Sequence, residues 1–255
     1  MLDSNTLEIT GVLSDHTGLP LAMEYFSTPS PFVVAACADS SMAMWNMAPG
    51  RAQFRFVMCW SAPHAQTSLR WCAKYTTLYS GGSTGLIHTW DVRAGEETCC
   101  MRAHTDMVTD LLCIPSIEAL ASCSMDRTIA LWDLCSGELQ FRVRGHEKGV
   151  VCLAYSEEHR LLISAGADHD AFVWSPFVPT LLYKLRGHFT SLVGVICVQG
   201  RTEVVTAAVD GQVRLGLRVL GHGHVEQVRV WDLRTYDCVQ TLTASEEVCV
   251  CILSS

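Results

Sequence analysis

The chain has 255 residues, of which 49% are hydrophobic and 17% charged, so it can bury a sizeable core and is not disordered by composition. Its 18 basic and 26 acidic side chains give a formal net charge of −8, which disfavours binding to the phosphate backbone of nucleic acids. The N-terminus lacks the basic and apolar regions of a signal peptide, and no apolar run reaches the ~18 residues of a membrane helix. We therefore expect neither nucleic-acid binding nor membrane insertion.

Thirteen cysteines are present, an odd number, and several lie in apolar, strand-like stretches such as 150–155. In such stretches cysteine behaves as a small hydrophobic residue, and disulfide-rich secreted domains are usually far shorter. We expect an intracellular protein, in the cytoplasm by preference, with nuclear or cytoskeletal association left open.

Tryptophans recur along the chain at Trp45, Trp90, Trp132, Trp174 and Trp231. The first four follow one another at nearly equal spacing, a period of roughly 40–45 residues, and the last interval is longer. Each interval contains short apolar runs separated by turn residues, for example four runs between positions 150 and 185. Such spacing predicts short β-strands, four in each interval, and almost no helix.

A fixed set of polar residues accompanies the later tryptophans. A His precedes an Asp at the same separation in every set, and a Ser or Thr lies between them. The three sets are His104, Ser122, Asp126 and Trp132; His146, Ser164, Asp168 and Trp174; and His188, Thr206, Asp210 and Trp231. The two earlier intervals depart from the pattern, since Ala35 replaces the hydroxyl in the first, and the second has His64 and Ser80 but Thr84 in place of Asp.

The period and these four residue types resemble the WD40-repeat family over nearly the whole chain, and the resemblance implies a β-propeller. It also implies that each set is a structural tetrad, in which Asp bonds His, His bonds the hydroxyl, and the hydroxyl bonds the indole N–H. Because the set recurs in several intervals, it is a structural feature of each repeat and not one catalytic triad.

We predict an all-β WD40 propeller in a single domain of residues 1–255. It comprises five four-stranded blades and the first strand of a sixth, in a partial repeat from 245, so the ring is incomplete. The run at 7–12 has the place of a fourth strand. We interpret the chain as a fragment of a longer protein or as one segment of a larger ring.

The interval that ends at Trp231 is longer than its neighbours, which predicts an insert at 215–229. The triplet Gln-Val-Arg occurs at 212–214 and again at 227–229. The insert is either a protruding recognition loop or an intervening segment without a role, and its apolar content favours the second.

The sequence predicts no enzyme activity, no cofactor and no metal site. It contains no C-x-x-C, P-loop or G-x-G-x-x-G motif, and His222 and His224 in the insert are too few to form a metal site. Trp60 and Trp71 lie outside the tetrads, and we expect them to pack between blades instead of forming an exposed peptide-binding pair.

A non-catalytic scaffold that holds partner proteins in a larger assembly fits this pattern best. Since each tetrad His and Asp lies in a loop or turn at one end of its blade, the residues beside them should contact partners. These residues are Thr105, Asp106, Arg127, Glu147, Lys148, His169, Phe189, Thr190 and Gly211. The alternative is a reader of peptides or modifications at the central channel, for example a substrate receptor of a ubiquitin ligase.

Overall fold

The computed structural model describes residues 13–27, 31–47, 54–198, 200–209 and 225–243. These residues form five four-stranded antiparallel sheets, each a blade of consecutive strands, which confirms the predicted all-β propeller architecture. The sole helical element among them is a 3-10 turn at Pro115–Ile117, and no helix in the described ranges is long and apolar enough to cross a membrane.

Twenty strands follow one another in chain order, four to each blade. Blade 1 contains β1 (Pro20–Phe26), β2 (Phe32–Cys37), β3 (Ser41–Met47) and β4 (Phe54–Ser61). Blade 2 contains β5 (Gln66–Cys72), β6 (Thr77–Gly82), β7 (Leu86–Asp91) and β8 (Glu96–Arg102). Blade 3 contains β9 (Val108–Ile114), β10 (Ala119–Ser124), β11 (Thr128–Asp133) and β12 (Leu139–Arg144). Blade 4 contains β13 (Val150–Ser156), β14 (Leu161–Gly166), β15 (Ala171–Trp174) and β16 (Leu181–Leu185). Blade 5 contains β17 (Leu192–Cys197), β18 (Glu203–Val209), β19 (Val225–Asp232) and β20 (Cys238–Thr243).

The first strands of successive blades lie side by side in parallel. Thr67 on β5 donates to the carbonyl of Val108 on β9, and further along the same strand Arg70 donates to the carbonyl of Leu111, 3.0 Å away. Because both contacts advance in the same direction, the loops that precede the first strands all lie at one end of the blades.

The core lies between blades, and each later tryptophan packs against the preceding blade. Trp90 belongs to the cluster of blades 1 and 2, Trp132 to that of blades 2 and 3, Trp174 to that of blades 3 and 4, and Trp231 to that of blades 4 and 5. Burial of one large aromatic side chain at each boundary therefore joins neighbouring blades.

Trp60 and Trp71 pack in the manner expected from the sequence. Trp60 is 9% exposed in the cluster between blades 1 and 2, and Trp71 stacks on Phe26 with ring centroids 4.2 Å apart. Both aromatics thus contribute to the boundary between these two blades, as predicted.

Blade 1 exposes the face that points away from blade 2. Met23 and Tyr25 on β1 are 45% and 52% exposed. The residue of β5 that corresponds to Met23 of β1 is Leu69, and it is only 1% exposed. Leu69 is covered by blade 1, and none of the described strands covers Met23 in this way. The strand predicted at 7–12 and the one predicted in the partial repeat from 245 lie outside the described residues.

The strand that contains Trp231 begins earlier than the sequence predicted. β19 starts at Val225, and within it Gln227 pairs with Ala208 and Arg229 pairs with Thr206. The structure therefore assigns 225–229, which the sequence analysis placed at the end of the insert, to the strand. Of the two Gln-Val-Arg triplets, the one at 227–229 pairs with β18, and the one at 212–214 lies outside the described residues.

Candidate partner-binding face

Blade 3 contains a complete chain of hydrogen bonds from a turn to the core. Nδ1 of His104 lies 3.1 and 3.2 Å from the carboxylate oxygens of Asp126, and its Nε2 lies 2.8 Å from Oγ of Ser122. The indole Nε1 of Trp132 donates to the same Oγ at 3.0 Å. Because a carboxylate only accepts, we assign the imidazole proton to Nδ1, so that Nε2 accepts from the hydroxyl.

Burial favours the neutral form of this imidazole. It lowers the pKa of His104 below its ordinary value, against the opposing effect of Asp126. Burial also opposes ionisation of Asp126, yet hydrogen bonds from Thr128 and from the backbone N–H of Thr105 hold the pKa of its carboxyl below the usual value. The pair is thus a neutral imidazole beside a carboxylate at neutral pH.

Blade 4 repeats the arrangement with shorter contacts. His146 Nδ1 lies 2.8 and 2.9 Å from the carboxylate oxygens of Asp168, and its Nε2 lies 2.6 Å from Oγ of Ser164. Trp174 donates to that Oγ at 2.8 Å, and the ring of Phe172 stacks on the imidazole at 4.0 Å.

Blade 5 uses a threonine as the central member. His188 Nε2 lies 2.6 Å from Oγ1 of Thr206, and Trp231 donates to the same oxygen at 3.0 Å. Burial, and then the positive charge of Arg229, lower the pKa of His188 to about 4. Asp210, the fourth predicted member, lies outside the described residues.

Blade 2 differs from the sequence-based assignment. Gln66, which is buried, accepts from the hydroxyl of Ser80 at 2.7 Å through Oε1, and Trp90 donates to that hydroxyl at 2.7 Å. His64 is exposed and contributes only its backbone carbonyl, which accepts from the amide of Gln66 at 2.7 Å. A signal was present in the sequence, because His64 lies closer along the chain to Ser80 than each of the other histidines lies to its hydroxyl.

Among the residues that the structure describes, blade 1 has no side-chain relay to its tryptophan. Ala35 offers no hydroxyl, and Trp45 donates instead to the backbone carbonyl of Ser14 at 3.0 Å. Asp39 accepts from Thr17 at 2.5 Å and from Ser41 at 2.6 Å, so it still connects the loop before β1 to the turn before β3.

These sets are unsuited to nucleophilic catalysis. The hydroxyl-bearing residues Ser122, Ser164 and Thr206 are 0% exposed, and each oxygen already contacts an imidazole and an indole. A nucleophile must reach its substrate. In blades 3 and 4 the geometry is that of a satisfied buried network, which makes a loop rigid.

The tetrad carboxylates also hold the loops that precede the first strands, which we call the leading loops. Asp126 accepts from the backbone N–H of Thr105 at 3.0 Å, and Asp168 accepts from that of Glu147 at 3.1 Å. In blades 3 and 4 the leading loop is thereby connected to the turn between the second and third strands of its own blade, which we call the middle turn.

The middle turns place one residue in the left-handed backbone region. The φ angles at this place are 68° for Ser40, 84° for Gly85, 70° for Arg127 and 71° for His169. A Cβ added at Gly85 would lie 2.4 Å from the carbonyl oxygen of His104, so this turn requires glycine. In blades 3 and 4 the same place presents a long polar side chain beside the leading loop.

Most of the predicted partner-contacting residues are solvent-accessible. Thr105, Asp106, Arg127, Glu147 and Lys148 are exposed, and His169 and Thr190 are half-buried. Phe189 is 83% exposed at the leading loop of blade 5. Gly211 lies outside the described residues. The described members include both signs of charge and one large apolar side chain.

Comparison with known families finds two matches within the chain. The WD40 family model, described as WD domain, G-beta repeat, matches residues 95–133 and 137–175. The first match extends over β8, β9, β10 and β11, and the second over β12 to β15, so each runs from the outer strand of one blade through three strands of the next. No curated protein matches the chain.

Proposed function

We propose that this chain of WD40 repeats is a non-catalytic scaffold that holds partner proteins in an assembly by the face of its leading loops and middle turns. WD40 repeats indicate a protein-interaction domain in general. The observation that supports this particular face is the exposure of Phe189, together with charged side chains on loops that buried tetrads hold in place.

The chemistry of the face suits protein partners. Aromatic residues and arginine are enriched in protein interfaces, and Phe189 and Arg127 supply both types. Asp106, Glu147 and Lys148 add charges that would select complementary partners and speed their association. A face with both signs of charge would bind neither a uniformly acidic polymer nor a uniformly basic one with preference.

The tetrads support the proposal by reducing the cost of binding. A loop that is already ordered loses little conformational entropy when a partner docks. Thr105 and Glu147 follow the tetrad histidines directly, and their backbone N–H groups are bonded to tetrad carboxylates. The scaffold would therefore present its contact residues in one arrangement.

We place this activity inside the cell, in the cytoplasm by preference. Every cysteine among the described residues is free, and Cys59, Cys99, Cys100 and Cys135 are exposed. Exposed thiols persist where the compartment is reducing.

The experiment compares two double variants of the full chain that each preserve net charge. Arg127→Glu with Glu147→Lys alters the proposed face, whereas Arg160→Glu with Glu158→Lys alters the turn between β13 and β14 at the other end of blade 4. Arg160 is matched to Arg127 because both are exposed and have left-handed φ angles, of 51° and 70°. Partners are quantified by affinity purification and mass spectrometry, and folding is checked by thermal unfolding.

We expect the first variant to lose a defined set of partners that the second retains, with little change in unfolding temperature for either. Equal recovery of all partners by both variants would refute the proposed face. Saturable binding of a short peptide from a partner by the purified chain would favour the reader of peptides or modifications instead, since a scaffold of this type requires a folded partner surface.

A further inference from the structure

Three side chains with metal-binding groups converge on the outer half of blade 2. They are His88 on β7 and Glu97 and Cys100 on β8, and the ligand atoms that they offer all lie within 4.8 Å of one another. His88 is 1% exposed, whereas Glu97 and Cys100 are exposed. A buried ligand and two accessible ones form a site that opens to solvent.

A β-bulge brings these groups to one face of the blade. Residues 97 and 100 differ by an odd number of positions, so in a regular strand their side chains would point to opposite faces. His88 pairs with Cys100 and Trp90 pairs with Glu97, with a register shift between Thr89 and Trp90. The shift inserts one extra residue on β8 and reverses the alternation, so that Glu97 and Cys100 share the face of His88.

The fold does not itself require this trio. All five blades have a register shift between their third and fourth strands, directly before the tryptophan. The other four blades have different residues at the three positions. These are Ala43, Phe56 and Cys59 in blade 1; Ala130, Leu139 and Arg142 in blade 3; Phe172, Leu181 and Lys184 in blade 4; and Arg229, Cys238 and Thr241 in blade 5. Alanine at the place of His88 in blades 1 and 3 shows that packing alone needs no imidazole there.

The imidazole of His88 is incompletely satisfied. Its Nδ1 lies 3.0 Å from Oε1 of Glu97, and its Nε2 is buried without a hydrogen-bond partner among the described residues. Because Nδ1 faces Glu97, it is the nitrogen that can bind a metal in this cluster, and Nε2 would then carry the ring proton.

We propose that His88, Glu97 and Cys100 bind a zinc ion with three protein ligands and leave a fourth position open to solvent. Imidazole nitrogen, thiolate sulfur and carboxylate oxygen are the three ligand types that zinc takes in proteins. With Zn–ligand bonds of about 2.0–2.3 Å, a tetrahedral ion separates its ligands by roughly 3.3–3.8 Å, so small side-chain rotations close the site.

Binding requires the thiolate of Cys100 and therefore releases one proton. The Zn–S bond replaces the S–H bond, and the proton passes to solvent or buffer with no change of oxidation state. Partial burial, together with the nearby Glu97, raises the pKa of the Cys100 thiol, so the free protein holds the thiol form until the metal displaces the proton.

The test is a Zn²⁺ titration of the purified full chain, freed of metal, in competition with a coloured chelator. Co²⁺ replaces Zn²⁺ in a parallel series, since thiolate ligation gives a charge-transfer absorption in the near ultraviolet. All proteins have His222 and His224 replaced by alanine, so that this pair in the insert cannot bind metal. The variants are His88→Ala, Glu97→Gln and Cys100→Ser, and the matched control is Cys99→Ser, the exposed neighbour on β8 that pairs with Thr89.

We expect one ion per chain, and at least about 10–100-fold weaker binding in His88→Ala and Cys100→Ser, since even loss of a residue that supports a metal ligand costs this much. The charge-transfer band should vanish in Cys100→Ser and persist in Cys99→Ser. If His88→Ala does not fold, Glu97→Gln supplies the second ligand test, because its residue is exposed. Equal affinities of Cys99→Ser and Cys100→Ser, or the absence of saturable binding, would overturn the proposal.

Discussion

The buried carboxylate of Asp110 in blade 3 accepts a hydrogen bond from the backbone N–H of Leu153 in blade 4, at 3.0 Å. The two residues belong to different sheets, so this contact connects the first strands of neighbouring blades. Asp110 is 3% exposed and also accepts from the N–H of Leu111 at 2.9 Å. A single side chain thus satisfies a backbone donor that the strands of its own sheet leave unpaired.

Asp110→Ala should lower the free energy of unfolding by about 1–3 kcal/mol, because the N–H of Leu153 stays buried without its acceptor. Asp110→Asn keeps an acceptor for only one of the two N–H groups, because these groups bond different carboxylate oxygens, and it should lose less stability than Asp110→Ala. Urea-induced unfolding, followed by tryptophan fluorescence, measures both. Equal losses for the two variants would show that the charge, and not the acceptor, stabilises the boundary.

Gln66 and His64 give a second prediction, since one is the buried partner of Ser80 and the other is exposed. Gln66→Leu should lower the free energy of unfolding by about 1–3 kcal/mol, because the hydroxyl of Ser80 loses its acceptor inside the blade. His64→Ala should change it by no more than about 0.5 kcal/mol, as is usual for surface positions. The same denaturant measurement decides, and a larger effect of His64→Ala would restore the sequence-based assignment.

Acid should destabilise the protein in part through His188. Burial lowers the pKa of this imidazole from 6.5 to about 4, so between these values the unfolded chain binds a proton that the folded chain does not. The stability from the neutral imidazole is therefore complete above pH 6.5 and is lost as the pH falls towards 4. The lowered carboxyl pKa values of Asp126 and Asp168 act in a separate and more acidic range, below their ordinary 3.8.

His188→Gln tests this assignment, since glutamine already serves as partner of the hydroxyl in blade 2. Unfolding free energies are measured at several pH values between 4 and 7. The variant should show a shallower decline than the parent over this interval. Parallel pH profiles of the two proteins would contradict a contribution from His188.

Local pattern in the sequence determined the repeat and the strand content. It also determined which four residues form the tetrad of blade 3, because they recur at a fixed spacing. This was possible because period-two alternation, turn residues and a tryptophan per blade are all properties of contiguous chain. The tertiary structure decided that Gln66, and not His64, is the side-chain partner of Ser80 in blade 2. The hydroxyl of Ser80 donates to the Gln66 side chain, which comes from the first residue of β5. It also decided where the strand that contains Trp231 begins, since pairing with β18 places Gln227 and Arg229 within β19.

The trio of His88, Glu97 and Cys100 shows the same division. The sequence predicted no metal site, because ligands spread over two strands on either side of a turn match no compact motif. Their proximity depends on cross-strand register and on a bulge that reverses the direction of alternate side chains. Register is set by the pairing of whole strands and by burial between blades, and these are long-range properties that no local segment of the chain contains.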